Sequence, residues 1–227
     1  MTRIIIAGAG GKMGQSLLKV AEKIPGLAVA ARIDRGQELG KVIQDADVVI
    51  DFAVHEATVP FARICAQYKK AMVIGATGHT EAERKELLDL STQVPMVWSA
   101  NFSTGVNALF WLTGKAAGIL GPEFDLEIIE THHRHKKDAP SGTARTLAQI
   151  LAQARGCAAS EISVQSRREG EVVGDHTVIF STTGERLELT HKAASRETFA
   201  AGALRAAQWI IGKAPGVYDM QDVLGLK

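Results

Sequence analysis

Ile4-Ile5-Ile6-Ala7-Gly8-Ala9-Gly10-Gly11-Lys12-Met13-Gly14 is the stretch that decides how this chain folds. An unbroken apolar run ends at Ala7, glycines follow at once, and a helical pattern opens at Lys12. A strand apolar on both sides is covered on both faces, which is the habit of parallel sheets. The glycines permit a tight turn and let the backbone approach a pyrophosphate closely. The helix that follows turns unpaired N–H groups toward such an anion. The agreement with G-x-G-x-x-G is imperfect: Met13 takes the third glycine position and Gly14 comes one residue later. A tight strand-to-helix turn without a ligand is the plain alternative.

Outward from this stretch, apolar runs recur at 27–33, 47–53, 71–74 and 96–98, with helical patterns at 12–23, 56–69 and 81–91. Thr80 and Glu83 make a capping box at the start of the third helix. The alternation predicts an α/β fold with a Rossmann-type doubly wound parallel sheet. Asp34 ends the second run, where a carboxylate accepts hydrogen bonds from adenosine ribose hydroxyls. Arg35 beside it suits a 2′-phosphate, so NADH and NADPH are both admitted. Small residues close two later runs, in Gly75-Ala76-Thr77-Gly78 and Ser99-Ala100-Asn101-Phe102. Ligands of open parallel sheets bind beyond the carboxyl ends of the strands. These residues leave room for a nicotinamide ring, and Asn101 can bond its carboxamide. Ordinary turn and loop chemistry is the bland account of each stretch taken alone.

The pattern changes after Asn101. A long apolar helix is expected over 105–120, closed by Gly121-Pro122, then a strand over 126–130, a polar loop over 132–140 and a helix over 143–154. Residues 162–192 read as antiparallel strands, with runs at 178–182 and 186–190 joined by a turn at 183–185. A last helix over 198–211 is expected to return to the first domain. The expected division is a dinucleotide-binding domain, 1–103 plus 196–227, and a second α+β domain of mixed or antiparallel sheet, 104–195.

With 46% hydrophobic and 22% charged residues the chain reads as an ordinary globular protein, and a net charge of +1 gives no field pointing to nucleic acid or an anionic membrane. Cys65 and Cys157 carry no ligand or nucleophile pattern and read as unpaired thiols in a reducing compartment. No run approaches a membrane span, and the N-terminal run is too short for a signal segment. A cytoplasmic protein is expected.

Against that near-neutral background, His132-His133-Arg134-His135-Lys136-Lys137 is a concentrated basic run, followed by Asp138-Ala139-Pro140-Ser141-Gly142-Thr143-Ala144 at a helix start. Basic side chains and helix-terminal N–H groups together make a cradle for a dicarboxylate. Three histidines so close suggest metal ligands. However, neighbours on an extended chain point in alternating directions, and no carboxylate or cysteine completes a familiar set, so no metal is expected. The run is short and lacks interleaved aromatics, against a nucleic-acid patch. A solvated basic loop is the remaining reading.

The run Glu130-x-His132-His133-x-x-Lys136-x-Asp138-Ala139-Pro140-Ser141-Gly142-Thr143-Ala144 resembles the signature of the dihydrodipicolinate reductase family. The resemblance extends to the 8–14 loop, Phe52, 75–78, 100–105, His191-Lys192-Ala193, Ser195-Arg196 and Phe199-Ala200 with Gly202-Ala203. It implies NADH- or NADPH-dependent reduction of 4-hydroxy-tetrahydrodipicolinate, by way of dihydrodipicolinate, in lysine and diaminopimelate biosynthesis. It also implies roles: His132 and Lys136 in proton transfer, His133, Ser141, Gly142 and Thr143 on the substrate. Gly8, Ala9, Gly10, Gly11, Lys12, Met13, Asp34, Arg35, Gly75, Ala76, Thr77, Ser99, Ala100, Asn101 and Phe102 would contact the cofactor. A homotetramer joined through the second domains is implied, with no required metal. The chain departs from the family pattern in its short 36–45 segment, in Ala76 and Ser99, and in the Ala53-Val54-His55 run. Another two-domain nicotinamide dehydrogenase, which would lack the 132–144 run, and a non-catalytic nicotinamide-sensing module are the rival readings.

Overall fold

The computed structural model describes residues 1–227. In chain order the elements are β1 (Thr2–Ala7), α1 (Lys12–Ala21), β2 (Leu27–Ile33), β3 (Val48–Asp51), α2 (His55–Gln67), β4 (Ala71–Ile74), α3 (Glu81–Ser91), β5 (Pro95–Trp98), α4 (Thr104–Leu120), β6 (Asp125–His132), α5 (Gly142–Arg155), β7 (Ser163–Arg168), β8 (Gly174–Ser181), β9 (Arg186–Ala193), α6 (Glu197–Trp209), β10 (Gly216–Tyr218) and α7 (Met220–Leu224). Two compact units result, Met1–Thr104 with Glu197–Lys227, and Gly105–Arg196.

The first unit is a six-stranded parallel sheet in the order β10-β5-β4-β3-β1-β2. Its central strands β3 and β4 are buried at every position, as the apolar runs Val48-Val49-Ile50 and Ala71-Met72-Val73-Ile74 predict, with Asp51 buried at the end of β3. One face packs Ile4, Ile6 and Val73 on α1 and α6; the other packs Ile5, Val49 and Met72 on α2 and α3. Strand order reverses direction around β1, between β2 and β3, and such a switch point is where open sheets bind ligands. The capping box of α3 forms as expected: Glu83 N–H donates to Thr80 Oγ1 at 3.2 Å and Thr80 N–H donates to Glu83 Oε2 at 2.6 Å. The short 36–45 segment folds into two 3₁₀ turns that bury Leu39 and Ile43. Strand β10 was not expected; at three residues it is too short to show a period.

The second unit is a four-stranded mixed sheet, β7-β6-β8-β9. Its core lies on the face covered by α4 and α5, around Ile128, Leu147, Leu151, Val178 and Phe180. The expectation of antiparallel strands throughout 162–192 holds for β8 and β9 but not for β7, which pairs in parallel with β6. Helix α5 supplies the crossover such a pair requires. A second correction concerns His132, assigned above to a loop. It is the last residue of β6, on the same buried face as Ile128 and Glu130. No helix is long and apolar enough to cross a membrane.

Candidate functional site

In the first unit the carboxyl end of the sheet is shaped by glycines. A Cβ on Gly14 would lie 2.2 Å from the Gly8 carbonyl oxygen and 2.5 Å from Ala9 backbone. Gly14, and not the residue at the position of Met13, therefore lets α1 sit hard against the turn. Gly8 takes φ +78°, and a Cβ there would strike the Phe52 backbone at 2.7 Å. That is the point where the ends of β1 and β3 converge. The Phe52 ring fills the space above Gly75, whose Cβ would meet it at 2.3 Å, and stands 5.6 Å from the Phe102 ring. No side chain caps α1 and no acidic residue lies in its first turn. The positive end of that helix stays open to an anion.

Asp34 and Arg35 follow β2 and line one cleft of about 600 Å³ with Gly8, Ile33 and Gly36. The Gly10 N–H donates to both Asp34 carboxylate oxygens, at 3.0 and 2.9 Å. Ala9 is buried, whereas Gly10, Gly11 and Lys12 are exposed and Met13 is half-buried. Gly75 and Ala76 both donate N–H groups to the Asp51 carbonyl, which ties the end of β4 to β3, and Thr77 beyond them is exposed. Ser99 donates its hydroxyl to the Asn101 carbonyl at 2.9 Å, and Asn101 Oδ1 accepts the Ser103 N–H at 2.9 Å. Ala100 is exposed and Phe102 buried.

The second unit brings side chains together. Along β6, Glu130 and His132 are two residues apart and face the same way. Register places His176 of β8 directly opposite Glu130, and Arg168 of β7 opposite His132. His132 Nδ1 lies 2.5 Å from Glu130 Oε2 as an ion-pair contact, and neither buried atom meets a partner in hydrogen-bonding geometry. The His132 and His176 rings meet edge-on at 5.1 Å. His176 Nε2 contacts the Ser141 hydroxyl at 3.2 Å. Ser141 is buried as the N-cap of α5, its hydroxyl accepting the Ala144 N–H and its own N–H donating to Glu130 Oε1 at 3.3 Å. Gly142 is exposed and Thr143 half-buried in the first turn. His133 is half-buried, its ring 6.3 Å from that of His135. Lys136 Nζ pairs with Asp138 Oδ1 at 2.7 Å.

Burial pushes the His132 imidazole below its ordinary range; the Glu130 carboxylate opposes this, while Lys136 and Arg168 add to it. The ring is therefore neutral near pH 7. His176, more deeply buried and facing His132, is pushed down to about 3. Burial acts to raise the Glu130 carboxyl, but bonds from Ser166, Arg168 and Ser141 outweigh it and hold Glu130 ionised. Glu130, His132 and His176 present donor atoms within 4.8 Å of one another. The sequence reading found no carboxylate to accompany the histidines; Glu130 is one, brought in by strand alternation. His176 and Arg168 were also missed as site residues. The 2.5 Å contact between Glu130 and His132 is closer than the ~3.3 Å between two ligands on one tetrahedral ion.

Comparison with known proteins agrees with both halves of this picture. The family model described as "Dihydrodipicolinate reductase, N-terminus" matches residues 2–102, and "Dihydrodipicolinate reductase, C-terminus" matches 105–224. A 4-hydroxy-tetrahydrodipicolinate reductase from Akkermansia muciniphila is 50% identical over 243 residues, covering 100% of this chain and 99% of that protein. One from Anaeromyxobacter dehalogenans is 43% identical over 267 residues, with 100% and 99% covered. The dipicolinate-bound dihydrodipicolinate reductase of Paenisporosarcina sp. TG-14 shares the fold, with a TM-score of 0.84 at 23% identity and 98% of each chain covered.

Proposed function

The chain belongs to the dihydrodipicolinate reductase family, and from that premise we propose that it reduces 4-hydroxy-tetrahydrodipicolinate, by way of dihydrodipicolinate, to tetrahydrodipicolinate in lysine and diaminopimelate biosynthesis. The observation that carries this reading is the joining of the His132 strand end, the Lys136 loop and the start of α5 through Glu130, Ser141 and Arg168. That assembly presents basic groups and helix-start N–H groups to one dicarboxylate.

A reduced nicotinamide, NADH or NADPH, supplies the hydride when bound. The uncapped start of α1 and the glycine turn fit its pyrophosphate, held by Gly8, Ala9, Gly10, Gly11, Lys12 and Met13. Asp34 and Arg35 take the adenosine end. Gly75, Ala76, Thr77, Ser99, Ala100, Asn101 and Phe102 take the nicotinamide end. His133, Ser141, Gly142 and Thr143 hold substrate carboxylates, Ser141 also capping the start of α5. As the substrate's conjugated imine accepts hydride, negative charge passes along it and the neighbouring carbon takes a proton. His132 and Lys136 carry that proton and offset the charge. His132, neutral in the free chain, takes up a proton from solvent when substrate carboxylates beside the ring favour its cation, and it is this proton that passes to the substrate carbon. We place the enzyme in the cytoplasm as a homotetramer. The face of the second sheet bearing Ile129, Thr131 and Thr177 is only half-buried in the single chain, which suits packing on a second copy.

The test follows loss of reduced nicotinamide absorbance with substrate made in place from pyruvate and aspartate semialdehyde by the preceding synthase. Turnover that requires the synthase and falls ~10²–10⁴-fold in His132→Gln is expected. Tight cofactor binding with no turnover would overturn the reading in favour of a sensing module.

A further inference from the structure

The two side chains assigned to proton transfer stand on different pieces of chain, one at the end of β6 and one in the loop beyond it. A single ion pair reaches both. The Arg168 guanidinium donates from Nη2 to Glu130 Oε1 at 3.0 Å and to the Asp138 carbonyl at 2.5 Å, and from Nε to the Lys136 carbonyl at 3.3 Å. The other oxygen of the same carboxylate, Glu130 Oε2, lies against His132 Nδ1 at 2.5 Å. Glu130 is fully buried while the Arg168 side chain is 20% exposed, so it is the carboxylate above all that needs its partner.

We propose that the Glu130–Arg168 pair is a positioning device for both proton carriers, fixing the His132 ring in its Nδ1–H form and holding the loop that bears Lys136. The proposal rests on the assignment of His132 and Lys136 to proton transfer. An unprotonated ring nitrogen would set its lone pair against an ionised carboxylate oxygen 2.5 Å away, so Nδ1 is the nitrogen that carries the proton. The other nitrogen, Nε2, is then the one left to exchange a proton with substrate. It faces Gly174, where a Cβ would come within 3.0 Å, so the position is kept clear by the lack of a side chain. Arg168 fixes which carboxylate oxygen is spare. Its guanidinium has donors only, as does the Ser141 N–H, so both occupy Oε1 and leave Oε2 to the histidine.

This makes Glu130→Gln informative. The amide oxygen is drawn to Arg168 and Ser141, its NH₂ is turned on His132 Nδ1, and the ring is driven to the Nε2–H form. Long-range ¹H–¹⁵N spectra of the whole protein at pH 8, with His132→Gln to identify the resonances, read the tautomer directly. The expected result is Nδ1–H in the wild type and Nε2–H in Glu130→Gln, with kcat reduced about 10²-fold or more and KM changed far less, as when a catalytic imidazole loses its orienting carboxylate. Arg168→Lys keeps a cation but loses the fork; we expect kcat reduced about tenfold with the tautomer retained. An Nε2–H ring in the wild type would overturn the proposal even if no variant folds. So would a Glu130→Gln protein with unchanged tautomer and kcat. Absence of turnover in the wild type would instead remove the reductase reading, and the wild-type tautomer would still decide the positioning claim.

Discussion

The strand ends of the first unit offer main chain where those of the second offer side chains. Gly8, Gly14 and Gly75 leave no room for a Cβ, so that surface is defined by excluded volume. Glu130, His132, Arg168 and His176 meet because three strands align them, so that surface is defined by charge and proton position. On the proposed function, the first kind of site would hold a ligand by shape and helix-terminal N–H groups, and the second would act on a ligand, because its groups change protonation. A steric site should lose fold and binding together when altered, whereas a side-chain site should lose rate while the fold persists.

Four measurements sharpen or break this contrast. The largest effect is expected from Lys136→Ala, which should lower kcat/KM ~10²–10⁴-fold with cofactor affinity and unfolding midpoint unchanged. A parallel collapse of cofactor binding would erase the distinction. Gly14→Ala should cost on the order of 3 kcal/mol in urea unfolding and weaken cofactor binding with it, because its Cβ would lie 2.2 Å from a carbonyl oxygen that cannot move freely. A stable, tightly binding variant would show that the turn is not limited by volume.

The third measurement is the pH dependence of stability. His176, only 4% exposed, has its imidazole pushed from 6.5 down to about 3 by burial first and by His132 second. Above pH 6.5 neither folded nor unfolded chain protonates this group, and its stabilisation is complete. As pH falls below 6.5 the unfolded chain binds a proton that the fold refuses, so stability drops by about 1.4 kcal/mol per pH unit until about 3. His176→Gln should flatten that slope in denaturant titrations; an unchanged slope would place the loss elsewhere. The smallest effect is Asp34→Ala, expected to shift preference toward NADPH about tenfold (~1.4 kcal/mol) in paired cofactor titrations. No shift would mean that Asp34, already held by Gly10, does not read the ribose.

The first unit was the more legible in sequence because its determinants are local. A strand, a glycine turn and a helix start occupy one continuous stretch, and burial on both faces writes itself as short apolar runs rich in Val and Ile. Besides the three-residue strand β10, the role of Gly14 was obscured, by a template that placed the third glycine at Met13. In the second unit the basic run stood out, but its partners did not. Ser163-Val164-Gln165-Ser166-Arg167-Arg168 is an exposed edge strand with little apolar content, so neither its parallel pairing nor the inward reach of Arg168 shows in composition. His176 sits in a run that alternates like any half-buried strand. What makes it part of the site is its register against Glu130, set by pairing across the sheet and absent from either segment alone.

The return of Glu197–Lys227 to the first unit has a consequence for the order of events during synthesis. Helix α6 closes directly on the loop after β5, where a Cβ on Gly202 would lie 1.7 Å from the Phe102 carbonyl oxygen, and it brings Ala203, Leu204 and Ala207 into one half of that unit's core, with Ile210 just beyond its end. A ribosome delivers the whole of the second unit before these residues emerge. The cofactor-binding half, begun first, is therefore finished last, and a nascent chain stopped before Glu197 exposes the apolar face of its parallel sheet to whatever chaperone or aggregate is nearest.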